Sequence, residues 1–137
     1  RVTLDDGSSH PVDSSHIAFR TAASIALRAG LEQALPVLIE PIMNVSVTTP
    51  EDLMGDLMSD LNSRRGRIQG TEQAGSLQVI KAQVPQAELG RYAADLRSLS
   101  QGRASFELEF AHYEELPGHM AEKVIAEARA AKEADQE

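Results

Sequence analysis

The sequence predicts an α+β domain in which one antiparallel sheet carries two helices on a single face, and three observations predict it. First, Met43, Val45 and Val47 alternate with Asn44, Ser46 and Thr48, and Ala104, Phe106, Leu108 and Phe110 alternate with Ser105, Glu107 and Glu109. That is the period of half-buried strands. Second, Leu53, Leu57 and Leu61 recur at helical spacing, as do Leu89, Tyr92, Ala93, Leu96 and Leu99. Third, two strand-like runs, about 67–72 and 76–84, lie between those helices and are joined by a turn containing Ala74-Gly75. The order over 41–113 is therefore β-α-β-β-α-β, the split βαβ or ferredoxin-like pattern.

The elements follow in order. Val2 to Leu4, the Asp6-Gly7 pair and Val12 read as a short hairpin or strand-loop element. Ser14 and Ser15 offer N-caps for a helix over about 16–29, with Phe19, Ala22, Ala23, Ala26 and Leu27 at helical period and Gly30 as its stop. One helix with so little sheet is too small to bury a core, so this piece reads as the tail of a larger α+β domain cut at Arg1. Breaks follow at Leu35-Pro36 and Glu40-Pro41. Thr49 is expected to cap the next helix, with Pro50 at its first position, Asp52 completing a box-like start and Gly66 just past its end. Pro85 opens the second helix, and Ser100-Gln101-Gly102 turns into the last strand. Pro117 closes the unit, and an Ala/Glu/Lys-rich helix runs to about Ala131. Its stripe of Met120, Val124, Ile125 and Ala128 is expected to dock, with the N-terminal piece as the candidate surface. The division is thus 1–38, 39–116 and 117–137.

Composition narrows the function classes. No apolar run approaches the ~20 residues of a membrane span, and the N-terminus lacks the apolar core of ~7–15 residues of a signal peptide. With no cysteine there is neither a disulfide framework nor a thiolate metal site, and a cytoplasmic, monomeric protein is the expectation. The net charge is −8, but it is unevenly spread. Residues 1–60 hold nine acids and three bases, and residues 106–137 again nine and three. Residues 61–105 hold seven bases (Arg64, Arg65, Arg67, Lys81, Arg91, Arg97, Arg103) against three acids (Glu72, Glu88, Asp95). A basic middle between acidic ends is either a local footprint for a polyanion or an ordinary solvated surface.

Catalytic patterns are missing. No lysine follows a glycine, so the phosphate-cradling G-x-x-x-x-G-K-[ST] loop is absent, as is a G-x-S-x-G elbow. His10, His16, His112 and His119 lack ligand spacing, so no metal site is expected. Neighbouring acids at Asp5-Asp6 and Glu114-Glu115 point to opposite sides of an extended chain and read as solvated charges.

The positive signals are arginines near element ends. Arg64, Arg65 and Arg67 crowd a helix-to-strand turn, and Arg97-Ser98 with Gln101-Gly102-Arg103 puts a guanidinium, a hydroxyl, an amide and backbone N–H groups in one loop. Such loops suit the phosphates and splayed bases of a folded RNA. The alternative is helix C-terminal capping, favourable by roughly 0.3–1 kcal/mol per cation. The spaced aromatics of Phe106 and Phe110 are similar to an RNA-recognition strand, but core packing is the preferred reading for both.

Several of these strings resemble one family. Leu61 to Ile68 (Leu-Asn-Ser-Arg-Arg-Gly-Arg-Ile), Tyr92 to Ser98, and Gln101-Gly102-Arg103 are similar to the last domain of bacterial elongation factor G. Val2-Thr3-Leu4, Asp6-Gly7-Ser8, His10 and Val12 to Ser15 resemble the end of its fourth domain, and Pro36 to Met43 its connector. The resemblance implies a C-terminal ribosome-binding part of a multidomain GTPase that moves tRNA and mRNA through the ribosome. It implies GTP and magnesium in a missing upstream domain, and no cofactor in this chain. Arg97, Ser98 and Gln101 are implied to face the sarcin–ricin loop of large-subunit rRNA, beside the GTPase-associated centre, and Arg64, Arg65 and Arg67 are added on their charge. His10 is implied at a tip facing tRNA and mRNA in the decoding region. His16, where an acidic residue commonly follows Asp-Ser-Ser, and Ser59, where a glycine often precedes Asp-Leu-Asn, depart from the pattern. They leave room for a recycling or otherwise specialised paralogue. A free-standing ferredoxin-like RNA-binding module and a small ferredoxin-like enzyme or ligand-binding domain are the remaining alternatives.

Overall fold

The Ser15 hydroxyl accepts from the Ala18 N–H at 3.1 Å and caps the first helix, α1 (His16–Gln33). The computed structural model describes residues 1–134 and divides the chain into a unit Arg1–Val37 and a unit that begins at Leu38. In the first unit α1 passes through Gly30 rather than stopping there. Glycine weakens a helix by ~1 kcal/mol but breaks no hydrogen bond, and Leu31, Glu32 and Gln33 favour continuation. The stop comes where the Ala34 N–H closes on the Gly30 and Leu31 carbonyls and Leu35 turns left-handed (φ 52°) before Pro36. The strand expected at Val2–Leu4 and Val12 does not form; residues 1–10 pair with no strand and 11–13 are a turn. A strand exists only with a ladder partner. No residue from 1 to 39 is buried, and Phe19, Leu27 and Leu31 on α1 stay about half exposed.

The second unit is built on four antiparallel strands, β1 (Ile39–Thr49), β2 (Arg67–Ala74), β3 (Leu77–Pro85) and β4 (Ser105–Glu115), in the order β2-β3-β1-β4. With α2 (Met54–Ser63) between β1 and β2, and α3 (Tyr92–Ser100) between β3 and β4, this is the expected β-α-β-β-α-β arrangement. Alternation decides which side each residue takes. Across one face Val47 lies between Ile80 and Phe106, Val45 between Ala82 and Leu108, and Met43 between Val84 and Phe110. Asn44, Ser46 and Thr48 make the other face, flanked by Gln83, Lys81 and Val79 on β3 and by Glu109, Glu107 and Ser105 on β4. A bulge at Ile42/Met43 shifts the phase. Glu40 and Ile42 are therefore buried on one side of it, and Val45, Val47 and Thr49 on the other. The Ala74–Leu77 pair closes a two-residue hairpin in which Gly75 (φ 65°) supplies the left-handed backbone.

The core forms where α2 and α3 meet the two central strands: Val45, Val47, Leu57, Leu61, Ile80, Ala82, Val84, Tyr92 and Leu96. Three expectations change here. Thr49 does not cap α2. It is buried, its hydroxyl donates to the Pro50 carbonyl at 3.3 Å, and a 3-10 turn (Glu51–Leu53) intervenes. The helix expected from Pro85 is split into a 3-10 turn (Gln86–Leu89) and α3, whose buried stripe is Tyr92, Leu96 and Ser100; Ala93 and Leu99 point outward. Phe106 packs edge-on against Tyr92 at 5.0 Å between ring centroids, but Phe110 is 51% exposed beside Tyr113. Phe110 shares the helix-side face, yet β4 is an edge strand and the two helices pack over the sheet's centre. The last helix, α4 (Gly118–Ala134), has no buried residue.

Gly66 closes the α2–β2 turn. Its N–H donates to the Leu61 carbonyl at 2.9 Å, while Arg65 takes the left-handed conformation (φ 57°) that ends such helices. A Cβ on Gly66 would lie 2.4 Å from the Leu61 carbonyl oxygen and 3.2 Å from Val84. Both neighbours are fixed, so Gly66→Ala is expected to lower stability by about 1–3 kcal/mol, read as a shift in the urea midpoint at unchanged slope.

The Tyr92 hydroxyl is buried without a hydrogen-bond partner among the described residues, and burial pushes its pKa up from 10.0 to about 12. Stability from this group is complete below the unfolded value near 10 and is lost as pH rises towards 12. Tyr92→Phe removes an unpaired buried polar atom, so it is expected to be neutral or stabilising by about 1 kcal/mol at pH 7. It should also flatten the alkaline loss between pH 10 and 12. Denaturant titrations of both proteins at pH 7 and at pH 11 check this.

Candidate nucleic-acid interface

The sequence-predicted residues fall into three groups. Arg97 and Ser98 occupy the last turn of α3, and Gln101 lies just beyond it. Leu96 and Ser100 are buried on the inner side, and the Ser100 hydroxyl donates to the Leu96 carbonyl at 2.7 Å, so Arg97 and Ser98 are held outward. Gln101 (φ 53°) and Gly102 (φ 78°) are consecutive left-handed residues. For Gln101 this conformation costs about 1–2 kcal/mol. The bend is fastened by the Gly102 N–H to the Arg97 carbonyl at 3.0 Å and the Arg103 N–H to the Ser100 carbonyl at 3.0 Å. Arg103 itself pairs with Asp52 at 3.1 Å. Among the described residues Arg97 has no acidic partner and Ser98 and Gln101 make no side-chain hydrogen bond. The loop thus presents a free guanidinium, a hydroxyl and an amide together, a donor set for phosphate and base edges.

The second group behaves differently. Arg64 is only 14% exposed in its side chain and directs Nε to Asp60 at 2.9 Å and Nη2 to Asp60 at 3.2 Å and Asp95 at 2.8 Å. Its Nη1 donates to the Glu88 carbonyl at 3.0 Å, and its guanidinium lies 5.0 Å over the Tyr92 ring. Arg65 makes a two-pronged pair with the buried Glu40, at 2.7 and 2.9 Å, and reaches Glu88 at 3.0 Å. Hydrogen bonds to Asp60 for Arg64, and to Glu40 for Arg65, hold both guanidiniums more firmly protonated than usual against the opposing effect of burial. Arg67 crosses the end of the sheet to Glu114. Arg67 first, and His112 second at 2.7 Å, hold the Glu114 carboxyl below its usual value. The structure thus pairs each of these three arginines with acids of its own unit, Arg64 and Arg65 through several donors and the more exposed Arg67 through one. Of the seven bases in 61–105, only Arg91 and Arg97 lack an acidic partner among the described residues. The Asp60–Arg64 spacing of four was visible in the sequence as a helix pair; Asp95, Glu88 and Glu40 carried no such signal.

His10 lies in the first unit. Ser14 closes its loop twice, accepting the His10 N–H on its hydroxyl at 2.5 Å and donating its own N–H to the His10 carbonyl at 3.1 Å. The His10 ring stays 73% exposed, 3.8 Å from Asp13. A hollow in the second unit is lined by Glu40, Arg65, Arg67, Glu114 and Glu115, where Arg65 pairs with Glu40 and Arg67 with Glu114. No group of three metal-ligating side chains occurs among the described residues, and none of their helices is long and apolar enough to cross a membrane.

Comparison with known proteins fits this layout. A family model described as the elongation factor G C-terminus matches residues 37–124, and one for elongation factor G domain IV matches residues 1–35. An elongation factor G of Aquifex pyrophilus is 56% identical over 132 residues, which is 96% of this chain and 19% of that protein. A crystal structure of a protein from Thermus thermophilus superposes with a TM-score of 0.81 at 47% identity, covering 89% of this chain and 18% of that one. The chain therefore spans about a fifth of the length of these relatives. With both units matched in chain order and the second unit's fold shared, the chain belongs to the elongation factor G family.

Proposed function

We propose that this chain is the C-terminal, ribosome-binding part of an elongation factor G-type GTPase that promotes GTP-dependent translocation of tRNA and mRNA in the cytoplasm. The observation that carries it is the α3 loop. It is an outward, acid-free Arg97 beside Ser98, on a bend fastened by its own backbone, in a chain whose other clustered arginines are neutralised. In this reading Arg97, Ser98 and Gln101 contact large-subunit rRNA at the sarcin–ricin loop, next to the GTPase-associated centre. His10 faces tRNA and mRNA in the decoding region. The chain positions rather than catalyses. GTP and magnesium are held elsewhere in the parent protein, because these residues offer no phosphate-cradling loop, and no nucleotide step is routed through them.

Arg97→Ala in the full-length factor is expected to weaken ribosome binding and to make its salt dependence shallower by about one unit of slope, as for one lost phosphate contact. Titrations over a range of salt concentrations read both, and unchanged affinity and slope reject the contact. His10→Ala is expected to slow translocation by about tenfold, equivalent to ~1.4 kcal/mol of barrier, with little loss of binding. A single-turnover translocation assay at saturating factor measures it, and equal rates return His10 to an ordinary exposed loop residue.

A further inference from the structure

The unusual feature of the second unit is that two adjacent arginines at the end of α2 face inward and join elements that otherwise touch little. We propose that Arg64 is a positioning residue for the Arg97 loop, acting through Asp95, with Arg65 fixing the segment that leads into α3. This rests on the reading of Arg97 as an RNA contact and adds how that contact is held in place.

The geometry supports it at each step. Arg64 follows the last turn of α2 and grips Asp60 there with two donors, at 2.9 and 3.2 Å, so its own direction is set. With a third contact, at 2.8 Å, it takes Asp95 on α3, two residues before Arg97. A fourth reaches the Glu88 carbonyl in the 3-10 turn Gln86–Leu89. The guanidinium plane then lies over Tyr92, the first residue of α3 and one of its buried anchors. Arg65, turned the other way by its left-handed backbone, holds the Glu88 carboxylate and ties it to Glu40 on β1. Together the two arginines join β1, the end of α2, the 3-10 turn and the start of α3. α3 is nine residues long and buries only Tyr92, Leu96 and Ser100. A helix so lightly packed can rotate or fray unless its first turn is held, and rotation would carry Arg97 with it. A planar, forked cation with fixed donor directions suits this bridging task; an ammonium does not.

The alternative, that Arg64 itself contacts phosphate, predicts opposite behaviour, and the full chain titrated onto isolated large ribosomal subunits across salt separates them. Asp95→Asn removes a negative charge beside a polyanion. Direct contact by Arg64 predicts tighter binding, whereas positioning predicts about three- to tenfold weaker binding. Positioning further predicts that Arg64→Ala weakens binding to a similar degree without making the salt slope shallower. It predicts that Arg64→Lys fails to rescue and that the Arg64→Ala/Asp95→Asn double variant is no worse than either alone. Circular dichroism and urea melts of each variant establish that the fold persists, and Asp95→Asn, the mildest change, keeps the test decisive should Arg64→Ala unfold. Tighter binding by Asp95→Asn, a slope loss in Arg64→Ala matching that of Arg97→Ala, or rescue by lysine overturns the inference while leaving the Arg97 contact standing. Unchanged binding by Arg97→Ala overturns the contact and this inference with it.

Discussion

Much of the second unit depends on one close approach: the Gly66 backbone against the Leu61 carbonyl at the end of α2. The 2.9 Å hydrogen bond there joins one of 3.2 Å from the Arg64 N–H in satisfying an end carbonyl of the helix. It also forces Arg65 into the left-handed region, and the direction of the chain on leaving α2 follows from that. Because consecutive residues at such a reversal project differently, Arg64 and Arg65 reach separate sets of acids from one point. Arg64 takes Asp60 and Asp95, and Arg65 takes Glu40 and Glu88. A backbone constraint on one glycine thereby sets the charge network of four elements.

The energetics of that network lie between familiar limits. Fully exposed ion pairs contribute ~0.2–1 kcal/mol, and breaking a fully buried pair costs ~3–5 kcal/mol. Arg64 and Asp60 are nearer the second limit, with side chains 14% and 16% exposed, while Asp95 is 40% exposed. The pair with Glu40 is likewise mostly covered. The network stabilises orientation more than it adds to the core, which the aliphatic residues of β1, β3, α2 and α3 supply.

Charge in this chain is consequently a matter of pairing rather than of totals. The excess of bases in 61–105 suggests a broad cationic footprint, yet nearby acids from other elements neutralise most of it. What remains among the described residues is Arg91 and the Arg97 loop, and in that loop the local structure is unusual in another respect. Its two left-handed residues and backbone fastenings shape it independently of any partner. Under the function proposed for it, such a loop gains specificity from preorganised geometry rather than from net field.

The sequence by itself determined the element order, the strand alternation and the buried stripe of α2, because each is written in contacts between residues close along the chain. The α3 loop was legible for the same reason: Arg97, Ser98 and Gln101 are neighbours in sequence. Tertiary structure alone decided what Arg64, Arg65 and Arg67 do, since Asp95, Glu88, Glu40 and Glu114 come to them from 23 to 47 residues away. It likewise decided that Phe110 stays half exposed, because alternation assigns a face but not how far a helix extends over it. The missing strand at Val2–Leu4 has the same origin: an extended segment becomes a strand only when another strand lies beside it, and no local pattern records that partner.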